Sequence, residues 1–313
     1  MTELALGLDL GGTKIRAGLI DSEGRLVVAN TSATNISEGR EGIMNSIIAA
    51  IVPLITRARR EKKLLLGIGV SAAGVINVRS GSVVDATDSL PQWKGTRLGY
   101  MLEEEFGIFV GTDNDVNCAL LGEQWLGGAQ SYNDVVMLTL GTGLGGAMLS
   151  GGKMMHGSSY LAGHWGRMEV PHPYRPQMTV PLESLLSGTG LRETLLFQLP
   201  DSEHHKYPDG LSVIQAYAER DPKVIATVED FMRLLATTIS NIRWTVDPQL
   251  VLLGGGMINS REHWWELMLQ QLQQKGVMTP VRPATLSNDA GMYGAAKMVF
   301  NHFQELKQQR DDI

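Results

Sequence analysis

Two glycine-rich segments, each set between strand-like runs, restrict the fold of this chain more than any other feature. In the first, the apolar run LALGLDL leads into Gly11-Gly12-Thr13-Lys14 and then into IRAGLI. In the second, about 130 residues further on, residues 135–140 lead into GTGLGG and then into residues 147–150. Because adjacent glycines between strands are typical of tight hairpins, this repetition indicates an internal duplication. We therefore expect two similar α/β halves that face one cleft.

Elsewhere helical and strand-like patterns alternate, as an α/β fold requires. Apolar spacing predicts helices at about 41–60, 100–106, 116–125, 224–246, 262–274 and 291–307. The runs LLLGIGVSAAG and IFVGTD and residues 250–253 predict buried strands. We expect an N-terminal lobe at 1–118 and a C-terminal lobe at 119–297, with a C-terminal helix at about 298–313 that can pack back on the first lobe.

Composition and charge exclude several classes of protein. A net charge of −6 and a pI near 5.7 give no electrostatic reason to bind nucleic acid. One cysteine, Cys118, excludes an internal disulfide and a cysteine-rich zinc site. Only a short stub precedes the first strand-like run, and no apolar stretch approaches the roughly 18 residues of a membrane span. We therefore expect a cytoplasmic protein without a signal peptide, a DNA-binding extension or a membrane partner.

The glycine segments favour phosphate-binding turns over a dinucleotide fingerprint or a P-loop. GTGLGG has the spacing G-x-G-x-x-G, but it leads into a strand rather than a helix, which excludes a dinucleotide fingerprint. No G-x-x-x-x-G-K-[ST] sequence is present either, so the P-loop route to ATP is excluded. Glycine turns let backbone N–H groups approach phosphate oxygens closely. The first segment and the third, LGGG at Leu253–Gly256, could equally be structural turns, whereas phosphate binding is the better interpretation of the second. The predicted ATP-binding residues are Gly11, Gly12, Thr13, Lys14, Gly141, Thr142, Gly143, Gly145, Gly254, Gly255 and Gly256.

Two aspartates stand beside these predicted phosphate sites. Asp9 precedes the first hairpin and is suited to hold Mg²⁺ through water, since hard cations prefer oxygen ligands. Asp115 follows the strand IFVGTD at the start of a predicted helix, where helix N–H groups favour an ionised carboxylate. Such a carboxylate can take the proton of an attacking sugar hydroxyl, and Asn114 suits a neighbouring pair of hydroxyls. The alternative is that Asp113 or Asp115 only caps the helix.

Together these segments resemble the ROK family of bacterial sugar kinases, named for repressors, open reading frames and kinases. The resemblance covers nearly the whole chain, and it rests on DLGGTK, NDVNCALLGE, LGTGLGG, LGGG and DAGMYGAA. It implies a duplicated actin/hexokinase-like, or ribonuclease H-like, two-lobe fold with an inter-lobe cleft. It also implies ATP and Mg²⁺ as cofactors, Asp115 as general base, and a homodimer.

The resemblance further implies a set of sugar-binding residues, with two departures from the family pattern. Gly74, Asn114 and Glu183, in VSAAG, NDVN and LESLLSG, match the family's sugar-side positions. His164 stands where many members have a glutamate, and Arg167 where they have a histidine that also binds zinc. Because residues 171–182 contain no cysteine, we predict no zinc site, with proline rigidity and local packing ordering this loop.

The sequence therefore predicts an ATP-dependent sugar kinase that phosphorylates a hydroxyl of a hexose or hexose derivative. The histidine at position 164 is similar to some N-acetylmannosamine kinases of the family, and the zinc-free loop is similar to its β-glucoside kinases, so the sugar stays open. The alternatives are a sugar-responsive ROK-type transcriptional regulator and a catalytically weak sugar-binding pseudokinase. The short stub before Asp9 and the acidic pI disfavour the regulator, whereas the replacements at 164 and 167 motivate the pseudokinase.

Overall fold

The computed structural model describes residues 3–86 and 89–311, and it places strands and helices in alternation along the chain. The strands are β1 (Glu3–Leu10), β2 (Lys14–Asp21), β3 (Leu26–Ala33), β4 (Leu64–Ala72), β5 (Val75–Asn77), β6 (Ser82–Asp85), β7 (Phe109–Asn114), β8 (Val135–Leu140), β9 (Leu144–Ser150), β10 (Lys153–Met154), β11 (Glu169–His172), β12 (Arg175–Pro181), β13 (Leu250–Gly254) and β14 (Val281–Pro283). The helices are α1 (Gly39–Arg60), α2 (Leu98–Phe106), α3 (Asp115–Leu126), α4 (Gly188–Leu196), α5 (Gly210–Ala218), α6 (Pro222–Val246), α7 (Trp265–Gln274) and α8 (Ala290–Asp311).

The chain divides into two units. The first unit is formed by the described residues of Met1–Ser131, His156–Ala162 and Thr285–Ile313, and the second by Tyr132–Met155 and Gly163–Ala284. The boundary expected after residue 118 falls within α3. The C-terminal helix that we expect at about 298–313, packed back on the first lobe, includes residues 312–313, which lie outside the described residues.

The first unit is built on the five-stranded sheet β3-β2-β1-β4-β7. Its first three strands are antiparallel neighbours, whereas β4 pairs in parallel with both β1 and β7. Helix α8 lies directly on the sheet, because a Cβ on Gly7 would be 2.1 Å from the carbonyl oxygen of Met292, and one on Gly69 would be 1.9 Å from that of Ala295. The glycines on β1 and β4 thus allow the helix backbone to approach the strands.

The second unit repeats this arrangement in the sheet β10-β9-β8-β13-β14. Here β8 and β9 form an antiparallel hairpin, and β13 pairs in parallel with both β8 and β14. Its core lies between this sheet and helices α4 to α7, with α6 contributing buried apolar residues along its whole length. Two sheets of the same strand order establish the duplication that the glycine hairpins predict.

Helix α1 follows the predicted pattern, because Ile43, Ile47 and Ile51 recur at helical spacing and are all fully buried in the first unit's core. It is also the one helix in the described part of the chain that is long and apolar enough to cross a membrane. The expectation that no apolar stretch approaches the roughly 18 residues of a membrane span is therefore wrong. Half of its most apolar 18-residue window is buried, and core helices pass the same test, so α1 is weak evidence for a membrane span.

Candidate active site

A row of polar residues crosses the first unit's sheet near the carboxyl ends of β1, β4 and β7. Strand pairing sets Thr31 opposite Arg16, Arg16 opposite Asp9, Asp9 opposite Ser71, and Ser71 opposite Asp113. Directly opposite residues on neighbouring strands point to the same face of a sheet. We call these five residues the polar row. It brings together segments that are distant in sequence, and it includes the predicted magnesium-side aspartate.

Asp9 lies at the centre of the polar row. Its Oδ1 accepts a hydrogen bond from Ser71 Oγ at 2.5 Å. Burial raises the pKa of Asp9 above its ordinary value, although the Ser71 bond and the charge of Lys14 act in the opposite direction. A Cβ on Gly291 would lie 2.6 Å from Asp9 Oδ1, so the glycine of the DAGMYGAA segment is needed where α8 passes over this carboxylate.

Asn114, rather than either neighbouring aspartate, caps helix α3. Its Oδ1 accepts hydrogen bonds from the backbone N–H groups of Val116 at 2.9 Å and Asn117 at 3.2 Å. Its Nδ2 donates to the carbonyl oxygen of Gly74 and to Asp115 Oδ1, both at 2.8 Å. The structure thus brings Gly74, Asn114 and Asp115 together. All donors and acceptors of the Asn114 amide are engaged within the protein, so its role as a sugar ligand stays a prediction that requires one of these bonds to be exchanged.

Asp115 is the first residue of α3, and its carboxylate accepts a further hydrogen bond from the Val116 N–H at 3.1 Å. Burial, and then the negative charge of Asp9, raise the pKa of Asp115 to about 6, against the lowering effect of these hydrogen bonds. The effect of burial on the pKa of Asp115 is therefore larger than that of the N–H groups at the helix start, which the sequence predicts to be the deciding influence. A carboxylate with this pKa is mostly ionised at neutral pH and is a stronger base than an ordinary aspartate.

The first glycine turn joins β1 to β2. The N–H of Gly11 donates to the carbonyl oxygen of Lys14 at 3.0 Å. Thr34 holds the turn from the side, because its hydroxyl donates to the Gly11 carbonyl at 2.8 Å and its N–H donates to the Thr13 carbonyl at 3.0 Å. Lys14 also lines a polar cavity of about 340 Å³ together with Arg16, Thr31 and residues 286–289.

In the second unit, Glu183 lies against the second glycine turn. A Cβ on Gly143 would be 3.0 Å from Glu183 Oε2, and a Cβ on Gly166 would be 3.3 Å from the Glu183 Cβ. The N–H of Gly188, at the start of α4, donates to the Gly141 carbonyl at 2.7 Å. The structure thus brings the LESLLSG segment and the turn at residues 141–143 together. Gly145 is different, because it pairs with Thr139 inside the β8–β9 ladder and lies outside the turn.

His164 and Arg167 lie at the two ends of a short helical turn. The N–H of Arg167 donates to the His164 carbonyl at 3.0 Å, and the Arg167 side chain is exposed. The Nδ1 atom of His164 is buried and has no hydrogen-bond partner among the residues that the structure describes. Buried polar atoms are normally hydrogen-bonded, so an atom of this kind is a good candidate to meet a polar ligand.

The third glycine segment continues from β13. Gly255 has a φ of +84°, and a Cβ there would lie 2.4 Å from the Leu140 carbonyl oxygen at the end of β8. A left-handed conformation and a close backbone approach both require glycine at this position. Gly256 is different, because a Cβ there would meet no atom of the described part of the chain within 4 Å. The open space at Gly256 is where a ligand could approach the backbone.

Two side chains that anchor parts of the first unit, Glu123 and His156, are not predicted by the sequence. Glu123 is fully buried, and its carboxylate accepts from the N–H groups of Gly128, Thr285 and Leu286 at 2.6, 2.8 and 2.7 Å. His156 hydrogen-bonds to Asp113 of the polar row. The sequence signal for Glu123 was its place at the end of NDVNCALLGE, whereas nothing in the sequence pairs His156 with Asp113.

The segment predicted as a zinc-free loop forms the hairpin β11–β12. Thr179 donates to Glu169 across this hairpin at 2.9 Å, and the Tyr174 and Phe197 rings stack with centroids 5.3 Å apart. Within residues 3–86 and 89–311, no group of three or more His, Cys, Asp or Glu side chains is placed to hold a metal ion. The absence of zinc stays a prediction.

Comparison with known proteins identifies the class. The model of the ROK family matches residues 5–302. A glucokinase from Halalkalibacterium halodurans is 29% identical over 312 residues, which cover 94% of each chain. The crystal structure of the ROK hexokinase from Thermus thermophilus is similar with a TM-score of 0.82 at 28% identity, covering 96% of this chain and 99% of that one. The ROK glucokinase from Streptomyces griseus, solved with glucose and AMPPNP, gives a TM-score of 0.73 at 26% identity, covering 94% and 98%.

The chain belongs to the ROK family and matches the family's sugar kinases along nearly its whole length. The predicted actin/hexokinase-like α/β fold is confirmed, and the structure adds that each of its two main sheets is mixed and five-stranded.

Proposed function

We propose that this protein transfers the γ-phosphoryl group of ATP to a hydroxyl of a hexose or hexose derivative, with Asp115 as the general base. The observation that carries the proposal is the environment of Asp115. Asp115 begins α3, its side chain is partly buried, and its pKa is raised to about 6. The chain that carries it belongs to the ROK family. A base with a pKa just below the working pH is both ionised and able to accept a proton.

The transfer needs little covalent chemistry from the protein. The sugar hydroxyl loses its proton to Asp115 while its oxygen bonds to the γ-phosphorus, and the bond from that phosphorus to the bridging oxygen of ADP breaks. Catalysis of this kind depends on positioning and electrostatics. The hydrogen bonds from the Val116 N–H and from Asn114 hold Asp115 Oδ1 in place, so the carboxylate does not have to reorganise during the step.

The residues of the first unit fit a magnesium ion. Asp9 is partly buried, and its negative charge raises the pKa of Asp115, so two carboxylates repel one another across this region. A divalent cation held by Asp9 through water would relieve this repulsion, and oxygen ligands with retained waters suit Mg²⁺. When bound, the ion would neutralise charge on the transferred phosphoryl group. Gly11, Gly12, Thr13 and Lys14 are the residues that we expect to meet phosphates in this unit.

The sugar is proposed to contact Gly74 and Asn114 of the first unit and His164, Glu183 and Arg167 of the second. The support for His164 is its buried Nδ1 atom, which has no hydrogen-bond partner within residues 3–86 and 89–311. The support for Glu183 is its place against the turn that contains Gly143. We also propose that Gly141–Gly143 and Gly254–Gly256 contribute to ATP binding. A homodimer remains a proposal that rests on the family resemblance. The cytoplasmic location expected from the sequence remains a proposal as well.

The proposal is tested by measuring ADP formation from ATP and Mg²⁺ over a panel of sugars. The panel contains glucose, mannose, N-acetylglucosamine, N-acetylmannosamine and a β-glucoside disaccharide, with a reaction without sugar as the control. We expect at least one sugar to raise ADP formation far above the control and to be recovered as its phosphate. A protein that forms no sugar phosphate with any of these acceptors, but still binds one of them, would be a sugar-binding pseudokinase.

A further inference from the structure

The segment His156–Ala162 is part of the first unit, although the chain before and after it belongs to the second. The N–H of Ala162 donates to the His156 carbonyl at 3.1 Å, which closes the segment into a loop. Gly157, within this loop, has a φ of +74° that favours glycine. This hydrogen bond and this turn therefore define the backbone conformation of the loop that carries His156.

His156 contacts the polar row at Asp113. Its Nε2 lies 2.7 Å from Asp113 Oδ2, and the two side chains are only 25% and 10% exposed. Burial alone would lower the pKa of His156, but the hydrogen bond and the charge of Asp113 outweigh it and raise the pKa above its ordinary value. The pair is thus a charge-assisted hydrogen bond that is largely removed from solvent.

Asp113 connects His156 to the start of α3. Its other oxygen, Oδ1, accepts from the Asn114 N–H at 2.7 Å and from Asn117 Nδ2 at 2.8 Å. Asn114 in turn donates to Asp115 Oδ1. An unbroken series of hydrogen bonds therefore runs from His156 through Asp113 and Asn114 to the proposed base.

The surrounding negative charge explains why a hydrogen-bond donor to Asp113 is useful here. Asp113, Asp9 and Asp115 all raise the pKa of the buried Cys118 thiol, after burial itself, so three carboxylates lie around one point of the first unit. Without His156, the Oδ2 atom of Asp113 would lose this hydrogen-bond donor, and a buried carboxylate oxygen without a donor is costly. His156 supplies that donor and fixes which way the carboxylate faces.

We propose that His156 is a positioning residue for the reaction: through Asp113 it holds Asn114 and the first turn of α3, and thereby Asp115, in the geometry that accepts the sugar proton. This inference rests on the proposed function. It goes beyond the proposed function because it assigns a role to His156, which is linked to Asp115 through Asp113 and Asn114.

The test compares His156→Ala with His156→Gln, since the Nε2 of glutamine can place an N–H donor close to where the histidine donor lies. His205→Gln, at an exposed histidine of the second unit, is the matched control. We expect His156→Ala to lower kcat by about tenfold or more while the sugar KM changes less than about threefold, because misplacing a catalytic group affects the transition state more than the ground state. His156→Gln should recover most of kcat, and His205→Gln should match the wild type.

A double-mutant cycle with Asp113→Asn separates positioning from a general effect on folding. If His156 acts through Asp113, the combined variant His156→Ala, Asp113→Asn should be no slower than the slower single variant. Thermal unfolding of each variant shows whether it is folded at the assay temperature. Unchanged kcat in a folded His156→Ala, or additive losses in the double variant, would overturn the inference. A wild-type protein without sugar-dependent ADP formation would instead overturn the proposed function, and the inference with it, before any variant is compared.

Discussion

At the level of single residues, opposing influences act on the pKa of Asp115. The N–H of Val116 and the amide of Asn114 lower its pKa, whereas burial and the charge of Asp9 raise it, and the net result is a pKa raised to about 6. The sequence showed the helix start, and so it predicted an ionised group. It could not show the burial or the charge of Asp9, because both depend on how β1, β4 and β7 pair. The same limit applied to Asn114, whose capping role depends on the bend between β7 and α3.

The pKa of Asp115 predicts how activity depends on pH. Only the deprotonated carboxylate can accept the sugar proton, so kcat/KM should be constant above about pH 7 and should fall below about pH 6, tending to tenfold per pH unit. The measurement is the pH–rate profile for the best sugar, with a coupling system that is not rate-limiting. A profile that stays flat down to pH 5 would mean that no group with this pKa acts as the base.

At the level of elements, Glu123 shows how one buried carboxylate fixes a connection. It receives three backbone N–H groups and the Thr285 hydroxyl, and so it joins α3 to the chain that leads into α8. The same two helices also meet at glycines, because a Cβ on Gly294 would lie 1.7 Å from the Cys118 carbonyl oxygen. The small residues of DAGMYGAA are thus explained by packing as well as by proximity to Asp9.

Glu123→Gln should therefore destabilise the first unit. The glutamine NH₂ group would face N–H donors that now meet a carboxylate oxygen, and the charge-assisted bonds would be lost. We expect the free energy of unfolding to fall by roughly 3 kcal/mol. Chemical denaturation measures this, with Glu105→Gln at an exposed position of α2 as the control. Equal stability of the two variants would contradict the anchoring role.

Other elements show what the sequence could and could not predict. Helices α1 and α6 were predicted nearly to their ends, because long amphipathic periods are a strong signal. Helix α4 was missed because its sequence GTGLRETLL contains two glycines, and it is begun by the Ser187 cap. Helix α5 was missed although Asp209 and Ser212 form a capping box. The predicted helix at 262–274 begins only at Trp265, since Gly256–His263 form a tighter helical turn.

At the level of the whole molecule, the two glycine hairpins predicted the duplication because each sits between the first two strands of its unit. The repeated strand order follows from pairing between segments that are distant in sequence. A local sequence pattern does not show which distant strands pair. The short strands β10 and β14 have too few residues to show a period of their own. The polar row has the same origin, since Asp9, Ser71 and Asp113 become neighbours only through the register of β1, β4 and β7.

The most direct test of the account is the turnover and sugar binding of Asp115→Asn. The substitution keeps the size of the side chain and an oxygen that can accept the Val116 N–H, but it removes the basic carboxylate. We predict that kcat falls by roughly 10²-fold or more while calorimetry still detects sugar binding. Asp201→Asn, at a fully exposed aspartate, should leave both unchanged. A near-wild-type kcat in Asp115→Asn would contradict the assignment of Asp115 as the base.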